Sequence, residues 1–84
     1  MDAQIVKDMI LDDINRQIEI LKERGVFVAM YKRILDRLLN AGYTEAEVQS
    51  AIVQLVRNKE IKTGKFADGT GWMRDFRHMD KNDL

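Results

Sequence analysis

The chain lacks cysteine and proline altogether among its 84 residues, and it contains a single histidine, His78. Without cysteine it can form neither a disulfide nor a thiolate metal site, and one histidine near a polar tail offers little to a metal. No apolar run approaches the roughly 18 residues of a membrane helix. The first residues carry acids where a secretory signal carries lysine. We therefore expect a soluble, cytoplasmic protein without metal or cofactor.

The chain also lacks net charge, since 14 basic residues balance 14 acidic ones. A neutral protein has no general attraction for nucleic acid unless its charges are segregated. Here they are segregated, because residues 57–77 hold six basic and three acidic groups and residues 26–43 hold three and one. Residues 44–56 hold two acids and no base. Positive charge is therefore concentrated in two stretches of the chain.

The absence of proline leaves long helical patterns uninterrupted. Residues 2–24 carry apolar side chains at helical spacing, and they predict a first helix that ends at Gly25. The residues of its predicted core face are Val6, Ile10, Leu11, Ile14, Ile18 and Leu21.

The same predicted helix carries a second apolar strip on nearly its opposite side. This strip comprises Ile5, Met9 and Ile20, with Arg16 among them. Such a strip can bind a second copy of the chain, and it predicts a homodimer interface. The alternative is that these are scattered exposed apolar residues, which are common in soluble proteins.

Residues 26–28 are β-prone and could form a short strand, or they could be the first turn of the next helix. The second helix follows and ends at Gly42, a residue that readily adopts the left-handed conformation. Its predicted core face consists of Met30, Tyr31, Ile34, Leu35 and Leu38, which leaves Lys32, Arg33, Asp36 and Arg37 outward.

A capping box marks the start of the third helix, because Thr44 is followed three residues later by Glu47. Helical spacing predicts a buried stripe of Val48, Ala51, Ile52, Leu55 and Val56. The outward face then carries Ala46, Ser50, Val53, Gln54 and Arg57. This face is short-chained, polar and almost free of acid.

After the third helix the apolar period changes from helical to alternating, and Asp68-Gly69 predicts the turn of a β-hairpin. We expect Ile61, Trp72 and Phe76 to bury against the helices, since a hairpin is marginal alone. The periodic pattern ends at Phe76. Residues 1–76 are therefore predicted to form one domain, and residues 77–84 a flexible tail.

Helix, short strand, two helices joined by a turn, and a glycine-tipped hairpin follow one another in this chain. In this order it resembles the winged helix-turn-helix superfamily over residues 5–76, most closely in residues 34–48 (ILDRLLNAGYTEAEV) and 55–61 (LVRNKEI). The resemblance implies an α+β fold, mainly α, in which three helices precede a C-terminal β-hairpin wing.

In DNA-binding members of this superfamily the third helix lies in the major groove, while the second helix and the wing contact phosphates. The resemblance thus implies a DNA-binding set of Lys32, Arg33, Arg37, Ser50, Gln54, Arg57, Lys62, Lys65 and Arg74. Glutamine can pair with adenine and arginine with guanine, while Ala46 and Val53 could meet thymine methyl groups. Glu45 and Glu47 depart from this pattern, because carboxylates mask the positive end of the helix.

No catalytic constellation and no glycine-rich phosphate loop is visible, so we do not expect an enzyme. One hypothesis is a small bacterial or phage transcriptional regulator that binds double-stranded DNA, dimeric through its first helix. The alternative is a winged-helix module that binds another protein and no nucleic acid. The neutral total charge, the acidic start of the third helix and the outward Val53 favour this alternative.

Overall fold

Three α-helices and a three-stranded antiparallel sheet make up residues 3–78, the part of the chain that the computed structural model describes. The helices are α1 (Ala3–Leu21), α2 (Tyr31–Asn40) and α3 (Glu45–Arg57). The strands are β1 (Ala29–Met30), β2 (Ile61–Lys65) and β3 (Gly71–Asp75), in the order β1-β3-β2. These elements confirm the predicted α+β class with three helices and a C-terminal hairpin.

Two short 3₁₀ turns complete the described chain, and each continues an element already formed. Lys22–Arg24 follows α1, and Phe76–His78 follows β3. The first residues of the predicted tail are therefore part of an ordered turn, while residues 79–84 of that tail lie outside the described residues. No helix within residues 3–78 is both long enough and apolar enough to cross a lipid bilayer.

The core is built around the predicted face of α1, where Ile10, Ile14 and Ile18 have no exposed surface. Leu11 and Leu21 of the predicted stripe are only half-buried. The other helices and the sheet add their own buried side chains: Ala29, Ile34, Leu38, Val48, Ala51, Leu55, Ile61 and Met73. Because α1 lies against both other helices and the sheet, its isoleucine face holds the layers together.

The capping box at the start of α3 is present as predicted. The Glu47 amide donates to Thr44 Oγ1 at 3.2 Å, and the Thr44 amide donates to Glu47 Oε1 at 3.0 Å. These bonds satisfy two amides that have no partner inside the helix, so the sequence fixes where α3 begins.

The C-terminal ends of α2 and α3 use the same left-handed geometry with different residues. Gly42 ends α2 with a φ of 98°, as expected of glycine. Lys59 does so after α3 with a φ of 59°, and its amide donates to the Val56 carbonyl at 3.0 Å. A side chain in this conformation is strained, so α3 ends less favourably than α2.

The first strand lies further along the chain than predicted, at Ala29–Met30 rather than residues 26–28. Its position follows from specific partners, because Ala29 pairs with Met73 and the Met30 amide donates to Gln17 Oε1 at 2.9 Å. The residues with the strongest β-propensity, Val26 and Phe27, remain exposed in the preceding loop.

The face of β3 that enters the core is the opposite of the one predicted. Met73 and Asp75 are buried, Trp72 is half-buried, and Phe76 is 60% exposed. Of the three side chains expected to anchor the hairpin, only Ile61 is fully buried. The prediction failed because it assigned the largest apolar side chains to the core, whereas the sheet places an acidic residue there.

A buried polar network joins α1 to its neighbours, and no feature of the sequence predicted it. Asp13 is 7% and Gln17 8% exposed. Asp13 accepts from Gln17 Nε2 at 2.9 Å and from Arg37 Nη1 at 2.8 Å. Since Gln17 also accepts from β1, the network connects α1 to both α2 and the sheet.

Candidate nucleic-acid interface

Two parallel rows of exposed or half-exposed side chains cover the outer surface of α3. One row consists of Gln49, Val53 and Val56, and the other of Ser50, Gln54 and Arg57. Both rows follow a spacing of four and then three residues, which aligns side chains along a helix axis. From Val48 to Arg57 this helix contains no acidic residue, so its last three turns offer an uncharged surface that ends in one cation.

Val56 was predicted to belong to the buried stripe of α3, but it is 40% exposed. Val48, Ala51 and Leu55 define the buried direction, and Val56 is turned about 100° away from Leu55. It therefore extends the exposed surface next to Val53, which is 48% exposed.

An open cleft separates α3 from the hairpin and has a volume of about 540 Å³. Its polar side chains come from all sides, with Tyr31 on α2, Glu45 and Gln49 on α3, and Thr63 and Lys65 on β2. Gln49 Nε2 lies 3.5 Å from the Tyr31 hydroxyl oxygen. The predicted DNA-binding set contains Lys65 alone of these five, because Tyr31 was assigned to the core and Glu45 was expected to weaken phosphate binding.

A second groove, of about 330 Å³, runs between α3 and the first turn of α1. Ser50 and Gln54 line it opposite Ala3 and Val6. Gln54 is half-buried, so the predicted pair of Ser50 and Gln54 lies at the edge of the exposed face rather than at its centre.

Two basic side chains of the hairpin lie directly opposite each other, since Lys62 on β2 pairs with Arg74 on β3. The Arg74 guanidinium carbon is 5.7 Å from the centre of the Trp72 ring, a distance typical of a cation–π contact. The ring of Trp72 in turn covers Gly64, its cross-strand partner. A Cβ on Gly64 would lie 2.3 Å from Trp72 Cζ2, so only glycine fits beneath this ring.

The predicted turn at Asp68-Gly69 forms the tip of the hairpin. Gly69 has a φ of 88°, and the Phe66 amide donates to the Thr70 carbonyl at 2.9 Å. Hydrogen bonds from the Thr70 side chain and amide lower the pKa of Asp68. The tip is thereby held in one conformation beside Lys65.

Arg37 is placed differently from the rest of the predicted DNA-binding set. Its guanidinium faces α1, where Nη1 is 2.8 Å from Asp13 Oδ1 and Nη2 is 3.8 Å from Asp12 Oδ2. The prediction that Arg37 points outward is therefore corrected, because its charge is balanced inside the fold. Lys32 and Arg33 are exposed in the first turn of α2, next to the cleft residue Tyr31.

Four of the predicted cations form no ion pair with any residue in the described range 3–78. They are Lys32, Arg33, Arg57 and Lys65. Lys32 and Arg33 belong to α2 and Lys65 to β2, two elements that border the cleft. Arg57 lies in one of the exposed rows of α3. An anion bound on this side of the protein would meet these four cations, while the Glu45 carboxylate lines the same cleft as Lys65.

The predicted dimer strip on α1 is interrupted. Ile5 is 50% and Ile20 69% exposed, but Met9 is half-buried and packs against the core. Met9 follows the buried Val6 by three residues, which brings it close to the core face. Arg16 pairs with Asp12 at 3.1 Å, an ion pair within α1 itself.

His78 has definite neighbours at the C-terminal end of the described chain. Its Nδ1 lies 2.5 Å from the buried Asp75 Oδ1, and its Nε2 lies 3.3 Å from Glu19 Oε1. Glu19 also pairs with Lys22, which lowers its pKa, and His78 acts in the same direction. This group of charges fastens the turn after β3 to the end of α1.

Within residues 3–78 no three histidine, cysteine or acidic side chains are arranged so that they could hold a metal ion. Comparisons with known proteins add no assignment, because no family model, no curated protein and no solved structure matches this chain.

Proposed function

We propose that this protein is a winged-helix protein that binds double-stranded DNA, with α3 as the recognition helix and the β2–β3 hairpin as the wing. One observation carries the proposal. The outer face of α3 carries no acid from Val48 to Arg57, and on this side Arg57 and Lys65 form no ion pair with any residue from 3 to 78. The element order, in which β1 lies between α1 and α2 and pairs with β3, also supports a winged helix.

The dimensions of α3 suit the major groove of B-DNA. The groove is about 12 Å wide and admits one α-helix. The 13 residues of α3 extend about 20 Å at 1.5 Å per residue, and its exposed Ala46, Ser50 and Val53 are short enough to bring the backbone close to base edges. With α3 in the groove, the hairpin and the first turn of α2, which border the same cleft beside α3, would lie close to the phosphates.

The start of α3 contributes little to the affinity in this proposal. Glu47 is engaged with Thr44 in the capping box, and Glu45 Oε1 lies 3.4 Å from Gln49 Nε2. These carboxylates neutralise the positive end of the helix dipole, which otherwise attracts a phosphate. Attraction to the phosphates therefore comes from Lys32, Arg33 and Lys65, with Arg57 at the far end of α3.

The salt dependence of duplex binding tests the proposal. Four phosphate contacts predict that log affinity falls with log salt concentration at a slope of about −4, since each contributes about 0.9. Fluorescence anisotropy of a labelled duplex measures this slope. Replacing Arg57 and Lys65 by alanine should reduce it by about 2. No binding of any duplex at low salt would contradict the proposed function.

Lys22→Ala is the matched control for that experiment. Lys22 is also a surface cation, but it lies beyond α1 and is paired with Glu19 at 2.6 Å. Its removal changes the net charge as much as the removal of Lys65 does. The slope should stay unchanged in this variant if the contacts are confined to the proposed face.

A docking module without nucleic acid is the second candidate function. The specific observation in its favour is the exposure of large apolar side chains away from α3, among them Ile20 at 69%, Phe76 at 60% and Phe27 at 48%. Exposed apolar side chains of this size often mark protein interfaces. A protein partner retained after nuclease treatment, and lost in Phe27→Ser and Phe76→Ser variants, would favour this function over DNA binding.

A further inference from the structure

We infer that α3 selects A·T-rich duplexes by contact with the methyl groups of thymine. The inference rests on the proposed function and specifies the class of DNA that its recognition helix would bind. Its starting point is the exposed row of Gln49, Val53 and Val56, of which only Val53 was predicted to face outward.

The two valines are apolar side chains that the core does not use. Val53 is 48% and Val56 40% exposed, and they are neighbours on the surface because they are three residues apart on the helix. In the major groove the thymine C5 methyl is the apolar group that distinguishes bases, and small apolar side chains contact it. Ala46, also exposed, continues this apolar surface towards the start of α3.

The polar side chains of the same surface favour the same base pair. An amide side chain can bond adenine at N6 and N7 together, and α3 offers Gln49 and Gln54 for this purpose. Guanine is read by arginine or lysine, and Arg57 is the one such residue of α3. Cytosine is read by a carboxylate that accepts from N4, and residues 48–57 contain none.

Charge on the flanking elements argues for DNA rather than protein as the occupant of this apolar row. The row lies on the same helix as Arg57 and next to the cleft that Lys65 lines, with Glu45 at the N-terminal end of α3 as the acid of that cleft. Both cations lack acidic partners within the described residues. A duplex places its negatively charged backbones on both sides of the methyl groups, so it matches this arrangement in charge as well as in shape.

Replacing thymidine by deoxyuridine provides the test, because it removes only the C5 methyl and keeps every hydrogen-bonding group of the base pair. Two duplexes of identical mixed A·T sequence, about two helical turns long, are compared by anisotropy at one low salt concentration. Each methyl that α3 buries should contribute about fourfold in affinity, the equivalent of about 0.8 kcal/mol. Two buried methyl groups should therefore make the deoxyuridine duplex bind about 15-fold more weakly.

Variants locate the effect on α3. Val53→Ala and Val56→Ala should each weaken binding of the thymidine duplex by a few fold and leave binding of the deoxyuridine duplex unchanged. Leu39→Ala is the control, since Leu39 is 43% exposed on α2 and lies on a different helix. It should change neither affinity.

The outcomes separate this inference from the proposed function. Equal binding of the two duplexes, with the expected salt slope, would overturn the methyl readout and leave DNA binding intact. Tighter binding of a G·C-rich duplex of the same length would overturn it as well. If neither duplex binds at low salt, the proposed function fails together with the inference.

Discussion

The α1–α2 side and the α3–hairpin side of this protein differ in how their cations are paired. On the first, Arg37 pairs with Asp13 at 2.8 Å and Lys22 with Glu19 at 2.6 Å, and its cations without an ionic partner among residues 3–78 include the two exposed ones at the start of α2. On the second, Arg57 and Lys65 form no ion pair with any residue from 3 to 78. A net charge of zero therefore hides a local difference in pairing, because Asp13 and Glu19 pair with cations of their own side while Arg57 and Lys65 have no such partner among residues 3–78.

The two sides also differ in how their backbones are held. The α1–α2 side combines a tightly packed isoleucine face with the buried network around Asp13 and Gln17. The hairpin is held on one face by Ile61 and Met73 and on the other by Trp72 over Gly64. Substitutions on the first side should therefore alter stability more than those on the second, and those on the second should alter binding more.

Asp13→Ala is the substitution expected to have the largest effect. It removes the acceptor of two hydrogen bonds and leaves Gln17 Nε2 buried without its partner. Breaking a fully buried ion pair costs about 3–5 kcal/mol, and Arg37 is partly exposed, so we expect a loss of about 2–3 kcal/mol. Urea unfolding measures it.

Asp12→Ala is the matched control for Asp13→Ala, since the adjacent Asp12 carboxylate is 57% exposed and pairs with Arg16. Such a pair contributes about 0.5 kcal/mol or less. Equal effects of the two substitutions would show that burial of the network does not stabilise the α1–α2 side. The two sides would then not differ in this source of stability.

Gly64→Ala is expected to have the next largest effect, and it acts on the hairpin side. The added methyl would overlap the Trp72 ring, so the ring must leave its position or the strands must separate. Overpacking of this kind costs about 1–3 kcal/mol. Since Trp72 is the single tryptophan of the chain, its fluorescence reports the displacement directly.

A double-mutant cycle sharpens the test at Gly64. In a Trp72→Ala background the ring is gone, and Gly64→Ala should then be nearly neutral or mildly stabilising, since alanine has the lower conformational freedom in the unfolded chain. If Gly64→Ala lowers the free energy of unfolding equally in both backgrounds, the Trp72 ring does not restrict the side chain at position 64.

Local patterns in the sequence predicted the elements and their ends. The capping box at Thr44 and the turn at Asp68-Gly69 lie where they were expected, because each depends on residues adjacent in the chain. The isoleucine face of α1 was also predicted, since one helical period defines it. These features need no knowledge of distant partners.

The features that the sequence did not predict depend on distant partners. β1 lies where Gln17 and Met73 can bind it, 12 or more residues away in the chain. Arg37 turns inward because Asp13 is buried nearby, and the buried Asp75 finds a partner for its Oδ1 in His78 Nδ1. The cleft was not predicted for the same reason, since its walls come from four elements, α2, α3, β2 and β3.

Lys59→Gly is expected to change stability by less than Asp13→Ala or Gly64→Ala, and it should separate stability from binding. Lys59 holds a φ of 59°, a conformation that costs a non-glycine residue about 1 kcal/mol or more, whereas Gly42 ends α2 without that strain. We expect the variant to be more stable by about 0.5–1 kcal/mol in urea unfolding, because glycine loses part of this gain to chain entropy.

Asn58→Gly is the control, since Asn58 has a φ of −82° that involves no such strain, and this substitution should only destabilise. Lys59 lies between α3 and the hairpin and is not among the four cations of the proposed interface. The more stable Lys59→Gly variant should therefore bind duplex DNA with an unchanged salt slope. A slope smaller by about 1 would instead add Lys59 to the phosphate contacts.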